Sequence, residues 1–349
     1  MNVMSGLIQI QQALGKVISG SDLSREEARG VMSEIMEGLA SPAQIGSLLT
    51  ALRIKGETLE EITGFAESMR NKAMQVNVLQ HDLLDTCGTG GDGAETFNIS
   101  TTAAIVAAAG GIRVAKHGNR AMSSKSGSAD VLEALGVKIT LSGEQAAQCL
   151  DKTGICFMFA QAYHQSMKHV AAPRRELGFR TVFNLLGPLT NPAGADRQVL
   201  GVFDRTKTEL VAQALQALGL KRALVVASED GLDEFSISAP TKVTELKADR
   251  ISTYTITPDD LGLRAHSIKD VGGGDAILNA EIIRHIFAGD RGPHRDIVLA
   301  NAAACFYVTG HVGSLQQGVK FAADVIDSGR AEQKLNDLIH FTGELCHVS

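Results

Sequence analysis

Residues 85–92 read DTCGTGGD and directly follow a predicted strand. Gly88, Gly90 and Gly91 let the backbone turn sharply and approach a ligand with no Cβ in the way. Such a loop exposes N–H groups that can cradle a diphosphate; the alternative is a plain glycine turn between strand and helix. It is neither GxGxxG nor a Walker A motif. Thr96, Asn98, Ser100 and Thr101 follow, just before an apolar run (102–109) that reads as a helix closed by Gly110-Gly111. Free N–H groups and the helix dipole favour an anion at such a start, and the same hydroxyls also suit an N-cap. After the next strand come Lys116-His117-Gly118-Asn119-Arg120 and Ser123-Ser124-Lys125-Ser126-Gly127-Ser128. These are cations, an amide and hydroxyls at the carboxyl end of a strand, where ligands gather in α/β folds. His117 is either a general base or a packed, hydrogen-bonded ring. Asp130 and Glu133 have capping-box spacing, which makes that pair structural.

Asp233 and Glu234 lie in EDGLDEFS, after the run ALVVAS, with Glu229 and Asp230 close by. Mg²⁺ takes one or two such carboxylates together with phosphate oxygens and water, although acidic loop residues are commonly only solvated. Arg174 carries a planar guanidinium fork. Beside Arg175 and Glu176 it also reads as an ordinary surface helix position. His164, Met167 and His169 lack the HExxH form and carry no metal assignment. Gly272-Gly273-Gly274-Asp275 reads as a tight turn before a helix from Ala276.

The elements that must hold these residues fall into three stretches. From Gly6 to about Val76 the pattern is helical, with Leu7, Ile10, Leu14 and Ile18 at three- and four-residue spacing. Ser24 with Glu27, Ser41-Pro42 and Thr58 with Glu61 mark further helix starts, and Gly56 a helix end. After Asp82, the runs LLDTC, IRVAK, VKIT, ICFMFA, QVLGVF and ALVVAS read as strands. Helical stretches at 102–109, 130–135 and 208–218 alternate with them, so an α/β core with a mostly parallel sheet is expected. Residues 242–247 and 251–256 alternate as a hairpin would, which makes the sheet mixed, and from Ala276 the chain is helical again.

With 349 residues, 44% hydrophobic and 21% charged, the chain can bury a large core in one or two domains. The net charge of −6 argues against a nucleic-acid partner, which calls for a basic surface. Five cysteines without a CxxC pair fit a reduced, cytoplasmic protein. The first residues lack a signal-peptide pattern, and the longest apolar stretch is too short to span a bilayer.

Taken together, GTGGD (88–92), NIST (98–101), KHGNR (116–120) with Ser123-Ser124, GSADVLEALG (127–136), RRELGFRTVFNLLGPLTNPA (174–193), DGLDE (230–234) and NAAA (301–304) resemble the anthranilate phosphoribosyltransferase family over nearly the whole chain. The resemblance implies a nucleoside phosphorylase/phosphoribosyltransferase-like fold. It has a small helical domain (1–78, joined by a helical segment near 163–190) and a large α/β domain (79–349). It implies that Gly88, Gly91, Asp92, Thr96, Asn98, Ile99, Ser100 and Thr101 hold the donor, 5-phosphoribosyl 1-diphosphate. Lys116, His117, Gly118, Asn119, Arg120, Ala121, Met122, Ser123, Ser124 and Ser128 would wrap its phosphates and ribose. Gly88, Asn119 and Arg174 would contact anthranilate. Ser100, Asp233 and Glu234 would hold Mg²⁺, two ions per site, and the chain would form a homodimer with neither nucleic acid nor membrane as partner. Two rival readings share the fold: a pyrimidine nucleoside phosphorylase, and a non-catalytic paralogue that binds nucleic acid.

Overall fold

The computed structural model describes residues 9–78, 82–91, 93–121 and 125–347. Four helices open it: α1 (Ile10–Ile18), α2 (Arg25–Met36), α3 (Pro42–Lys55) and α4 (Leu59–Lys72). Ser24, Ser41 and Thr58 close complete capping boxes with Glu27, Gln44 and Glu61, so α2 to α4 begin where the sequence places them. The apolar face of α1 differs from the expected stripe. It buries Ile10, Ala13 and Val17, while Ile18 is 72% exposed, because the helix ends there and its last residue points off the bundle.

The remainder is built on seven strands: β1 (Leu83–Gly88), β2 (Arg113–Gly118), β3 (Ile155–Phe159), β4 (Arg197–Gly201), β5 (Arg222–Ser228), β6 (Thr241–Lys247) and β7 (Arg250–Ile256). Their order is β3-β2-β1-β4-β5-β6-β7, parallel through β5 and antiparallel beyond it. The parallel strands are buried nearly throughout, as a doubly covered sheet requires, with β3 and β5 the near-continuous apolar runs among them, whereas edge strand β7 alternates toward solvent. The β6–β7 hairpin turns on Ala248 and Asp249, both at positive φ (50° and 59°). The run VKIT forms no strand: Val137 and Ile139 are buried in alternation, yet no ladder pairs them.

Helices α5 (Ile99–Ala109), α6 (Ser128–Leu135), α7 (Gly143–Thr153), α8 (Ala160–Tyr163), α9 (Lys168–Leu177), α10 (Val182–Leu186) and α11 (Thr208–Ala217) fall between the strands. The chain closes with α12 (Ala276–Phe287), α13 (Pro293–Thr309), α14 (Leu315–Asp327) and α15 (Arg330–His347). The sheet separates two cores. Leu224 and Val226 of β5 face α5 and the carboxyl-terminal helices, while Ala223, Val225 and Ala227 face α11. That second core runs without a break into α1–α4, and α9 and α10 pack on the same bundle. Sheet order reverses between β1 and β4, which opens a crevice beyond their carboxyl ends where open α/β sheets bind ligands.

Candidate active site

The loop after β1 lies at that crevice. Gly90 and Gly91 adopt left-handed backbone (φ 66° and 74°), which costs a glycine nothing. The Thr89 amide donates to the Gly201 carbonyl (2.9 Å), and the Phe203 amide donates to Thr89 Oγ1 (3.0 Å), tying the loop to the end of β4. Asp233 presses onto both strand ends. A Cβ at Gly201 would collide with its carbonyl oxygen, and one at Gly88 with its carboxylate. The Gly90 amide donates to Asp233 Oδ2 (2.8 Å).

Helix α5 starts at Ile99, three residues before the expected position, so Ser100 and Thr101 occupy its first turn. Its N-cap is Asn98, whose side chain does not cap. Asn98 instead donates to the Ser126 carbonyl (3.1 Å) and accepts from Asn279 (2.9 Å). The free helix start is taken by Glu234, whose Oε1 accepts the Ser100 amide (3.1 Å). The structure thus brings Asp233, Glu234, the glycine loop and the α5 N-terminus together. Asn301 of α13 fastens the acidic turn from behind: its carboxamide accepts from the Phe235 amide and donates to the Phe235 carbonyl, both at 3.0 Å.

Other predicted residues are spread around this centre. Thr96 bridges Gly272, and Ile99 and Thr101 are buried. Lys116 is only 3% exposed, with its ammonium on the Thr86 carbonyl beneath the loop. Gly118 ends β2 where a Cβ would strike Ser128 Oγ, and that hydroxyl donates to the Asn119 carbonyl (3.2 Å). The Asn119 side chain accepts from the Arg120 amide (2.8 Å), and Arg120 itself is paired with Asp130 (2.9 Å) and Glu133. Asp130 also accepts from the Ala121 and Gly127 amides; it is the third residue of the helix start, and Gly127 is the N-cap. Asp92, Met122, Ser123 and Ser124 lie outside the described residues.

Arg174 sits in the last turn of α9, half-buried, with its guanidinium 5.2 Å from the Phe183 ring centre. Burial lowers its pKa, and among the described residues it has no acidic partner. The sequence reading gave no site role to four neighbours: His164, Arg180, Phe203 and Asn301. The rings of His117 and His164 lie 5.0 Å apart. Each leaves a buried Nε2 without a partner among the described residues. Burial drives their pKa values down to about 3 and about 4, so both are neutral near pH 7. Burial also pushes the Asp85 carboxyl up, against the opposing pull of Asn191, Lys116 and the His117 amide.

Comparison with known proteins agrees with this architecture. Residues 80–332 match the glycosyl transferase family, a/b domain, and residues 11–73 the glycosyl transferase family, helical bundle domain. The chain is 55% identical over 337 residues to the anthranilate phosphoribosyltransferase of Brevibacillus brevis, covering 97% of this chain and 99% of that one. It is 54% identical to that of Acetivibrio thermocellus, over 95% and 96% of the two chains. Among solved structures, the anthranilate phosphoribosyltransferase of Thermus thermophilus superposes with a TM-score of 0.90 at 45% identity, over 95% of this chain and 99% of that one. The Saccharomyces cerevisiae enzyme, in complex with PRPP and Mg, gives 0.88 at 28% identity, over 96% and 98%. These relatives favour neither the nucleoside phosphorylase nor the nucleic-acid-binding reading. With the sheet order, the crevice and relatives matched along nearly their full length, the chain belongs to the anthranilate phosphoribosyltransferase family.

Proposed function

We propose that the crevice beyond β1 and β4 binds the donor diphosphate through loop 88–91 and the start of α5, and anthranilate through Asn119 and Arg174. The reaction of the family moves the phosphoribosyl group of 5-phosphoribosyl 1-diphosphate onto the anthranilate amine, giving N-(5-phosphoribosyl)anthranilate and diphosphate in tryptophan biosynthesis. The observation that carries the site assignment is a pair of contacts. The Gly90 and Ser100 amides, both suited to an anion, meet the Asp233 and Glu234 carboxylates at 2.8 and 3.1 Å.

Ser100, Asp233 and Glu234 form a hard oxygen set that fits Mg²⁺, and we assign two ions to the site. Among the described residues no group of three acidic, histidine or cysteine side chains could hold a metal alone, so donor oxygens and water would complete the shell. When bound, Mg²⁺ neutralises charge on the departing diphosphate. The chain's own residues do the rest by placement. The loop amides stabilise negative charge where it develops, and Asn119 and Arg174 hold the acceptor amine behind the anomeric carbon, so the sugar centre inverts. Anthranilate's amine is neutral at pH 7 and needs no base. The buried, neutral His117 and His164 then serve as polar walls rather than proton carriers.

We further assign the segment 163–190, which carries α9 and α10, with residues 1–78 to a small helical unit, supported by the packing of those two helices on α2 to α4. A cytoplasmic homodimer completes the reading: Ile18, Ala43, Ala51, Ile54 and Leu177 line an apolar groove on the outer face of that unit. None of the described helices is long and apolar enough to cross a membrane. The test is anthranilate fluorescence with the donor present, with and without Mg²⁺. Loss of signal that needs donor and metal together is expected; a steady signal from folded, donor-bound protein would remove anthranilate as acceptor.

A further inference from the structure

Arg180 was not among the residues that the sequence singled out, yet its surroundings set it apart. It lies between α9, which ends at the left-handed Gly178, and α10, whose capping box joins Thr181 to Asn184. Its guanidinium stacks over the Phe203 ring at 4.1 Å. It also lies flat against the glycine loop: a Cβ at Gly91 would stand 3.2 Å from both Nε and Nη2 of Arg180. Phe203 is itself joined to that loop through Thr89, so the arginine, the ring and the loop form one packed group.

Local charge is short of cations at this point. A diphosphate leaving group carries several negative charges, and Asp233 and Glu234 add two more nearby. The Lys116 ammonium is buried on the Thr86 carbonyl, Arg120 is held by Asp130 and Glu133, and Lys125 faces Glu95 at 3.4 Å. Arg180, half-buried, makes no ion pair or hydrogen bond among the described residues. Arg174 also lacks an acidic partner, but its ring contact is Phe183, with no such tie to the loop. A planar fork next to consecutive left-handed glycines suits a phosphate oxygen pair.

We propose that Arg180 is a further donor-binding residue, which clamps the diphosphate against loop 88–91 from the side of the helical unit. The inference deepens the donor-site assignment above and rests on it. In the transfer, the amine lone pair forms the new C1–N bond, and the C1–O bond breaks with its electrons going to the diphosphate. The amine proton is lost to water. Arg180 donates hydrogen bonds throughout and exchanges no proton.

The test is calorimetric titration of the full chain with inorganic diphosphate in the presence of Mg²⁺, comparing the native protein with Arg180→Gln and Arg180→Lys. Arg180→Gln is expected to weaken binding about 10- to 100-fold, the range for a lost charge-assisted contact. Arg180→Lys, which keeps the charge without the fork, should fall between the two, and the KM for anthranilate should stay nearly constant. A general packing defect would disturb both ligands alike. Unchanged diphosphate affinity in either folded variant, or an effect confined to anthranilate, overturns the assignment of Arg180 alone. Failure of the native protein to bind diphosphate overturns the donor site itself.

Discussion

Arg174 is half-buried over Phe183 with no acidic partner among the described residues, so in the proposed reading the anthranilate carboxylate would offset the cost of its burial. Replacing it with Ala should raise the KM for anthranilate about 10- to 100-fold, from the roughly 1.5–3 kcal/mol typical of hydrogen bonds to a charged group, and leave donor KM nearly unchanged. Steady-state kinetics with each substrate varied in turn decides this; a collapse in donor affinity would move Arg174 to the other half of the site. The His117–His164 pair makes a prediction about stability. Their folded pKa values, about 3 and about 4, lie below the ordinary 6.5, so the unfolded chain binds more protons between those limits. Stability is therefore retained above pH 6.5 and falls as pH drops below it. Between pH 6 and 5 the two rings together should cost about 2 kcal/mol. Chemical denaturation at both pH values should show this loss, and His164→Gln should roughly halve it. Asp233 and Glu234 were legible only through the resemblance carried by DGLDE (230–234), since acidic loop residues by themselves are commonly only solvated. Arg180, Phe203 and Asn301 were not, since their meaning lies in contacts across the chain, such as Asn301 with Phe235, 66 positions apart.

Among the elements, β3 and β5 were readable as nearly unbroken apolar runs, β1, β2 and β4 as short β-rich runs that carry polar residues, and the capping boxes of α2 to α4 as local spacing. The start of α5 was not readable. What takes the free Ser100 amide is Glu234, 134 residues downstream, and no local residue announces it. VKIT misled for a different reason: alternation reports which side chains are buried, not whether the backbone finds a ladder partner. The β6–β7 hairpin was legible from its two alternating arms, although its turn is Ala248-Asp249 rather than a glycine-containing pair. Alanine at φ 50° is strained by roughly 1 kcal/mol, while asparagine tolerates that region. Ala248→Asn should therefore raise stability by about 0.5–1 kcal/mol, read as a higher urea midpoint with the same slope. An unchanged midpoint would mean that the turn carries no such strain.

At the scale of the whole molecule, the outer face of the helical unit exposes Ile18 (72%) and Ile54 (82%) beside Leu177, an apolar groove of the kind that marks a partner surface. Sedimentation velocity should find a dimer for the native chain and a monomer for Ile54→Glu. A native monomer at micromolar concentration would remove the dimer from the reading. The bundle's other side has no such independence. Its core continues into Leu200, Val225 and Ala227 of the sheet, and Arg70 of α4 donates to the Leu218 carbonyl across the boundary. Anyone recombining this chain with a relative would naturally cut between the segments 11–73 and 80–332, where the two family matches part. The shared core makes that seam a poor one. A chimera spliced there would set one parent's side chains against the other parent's sheet face, α10 and α11, and it would inherit their misfit. Exchanges that follow the packing, moving α9 and α10 with the bundle, should give the more stable hybrids.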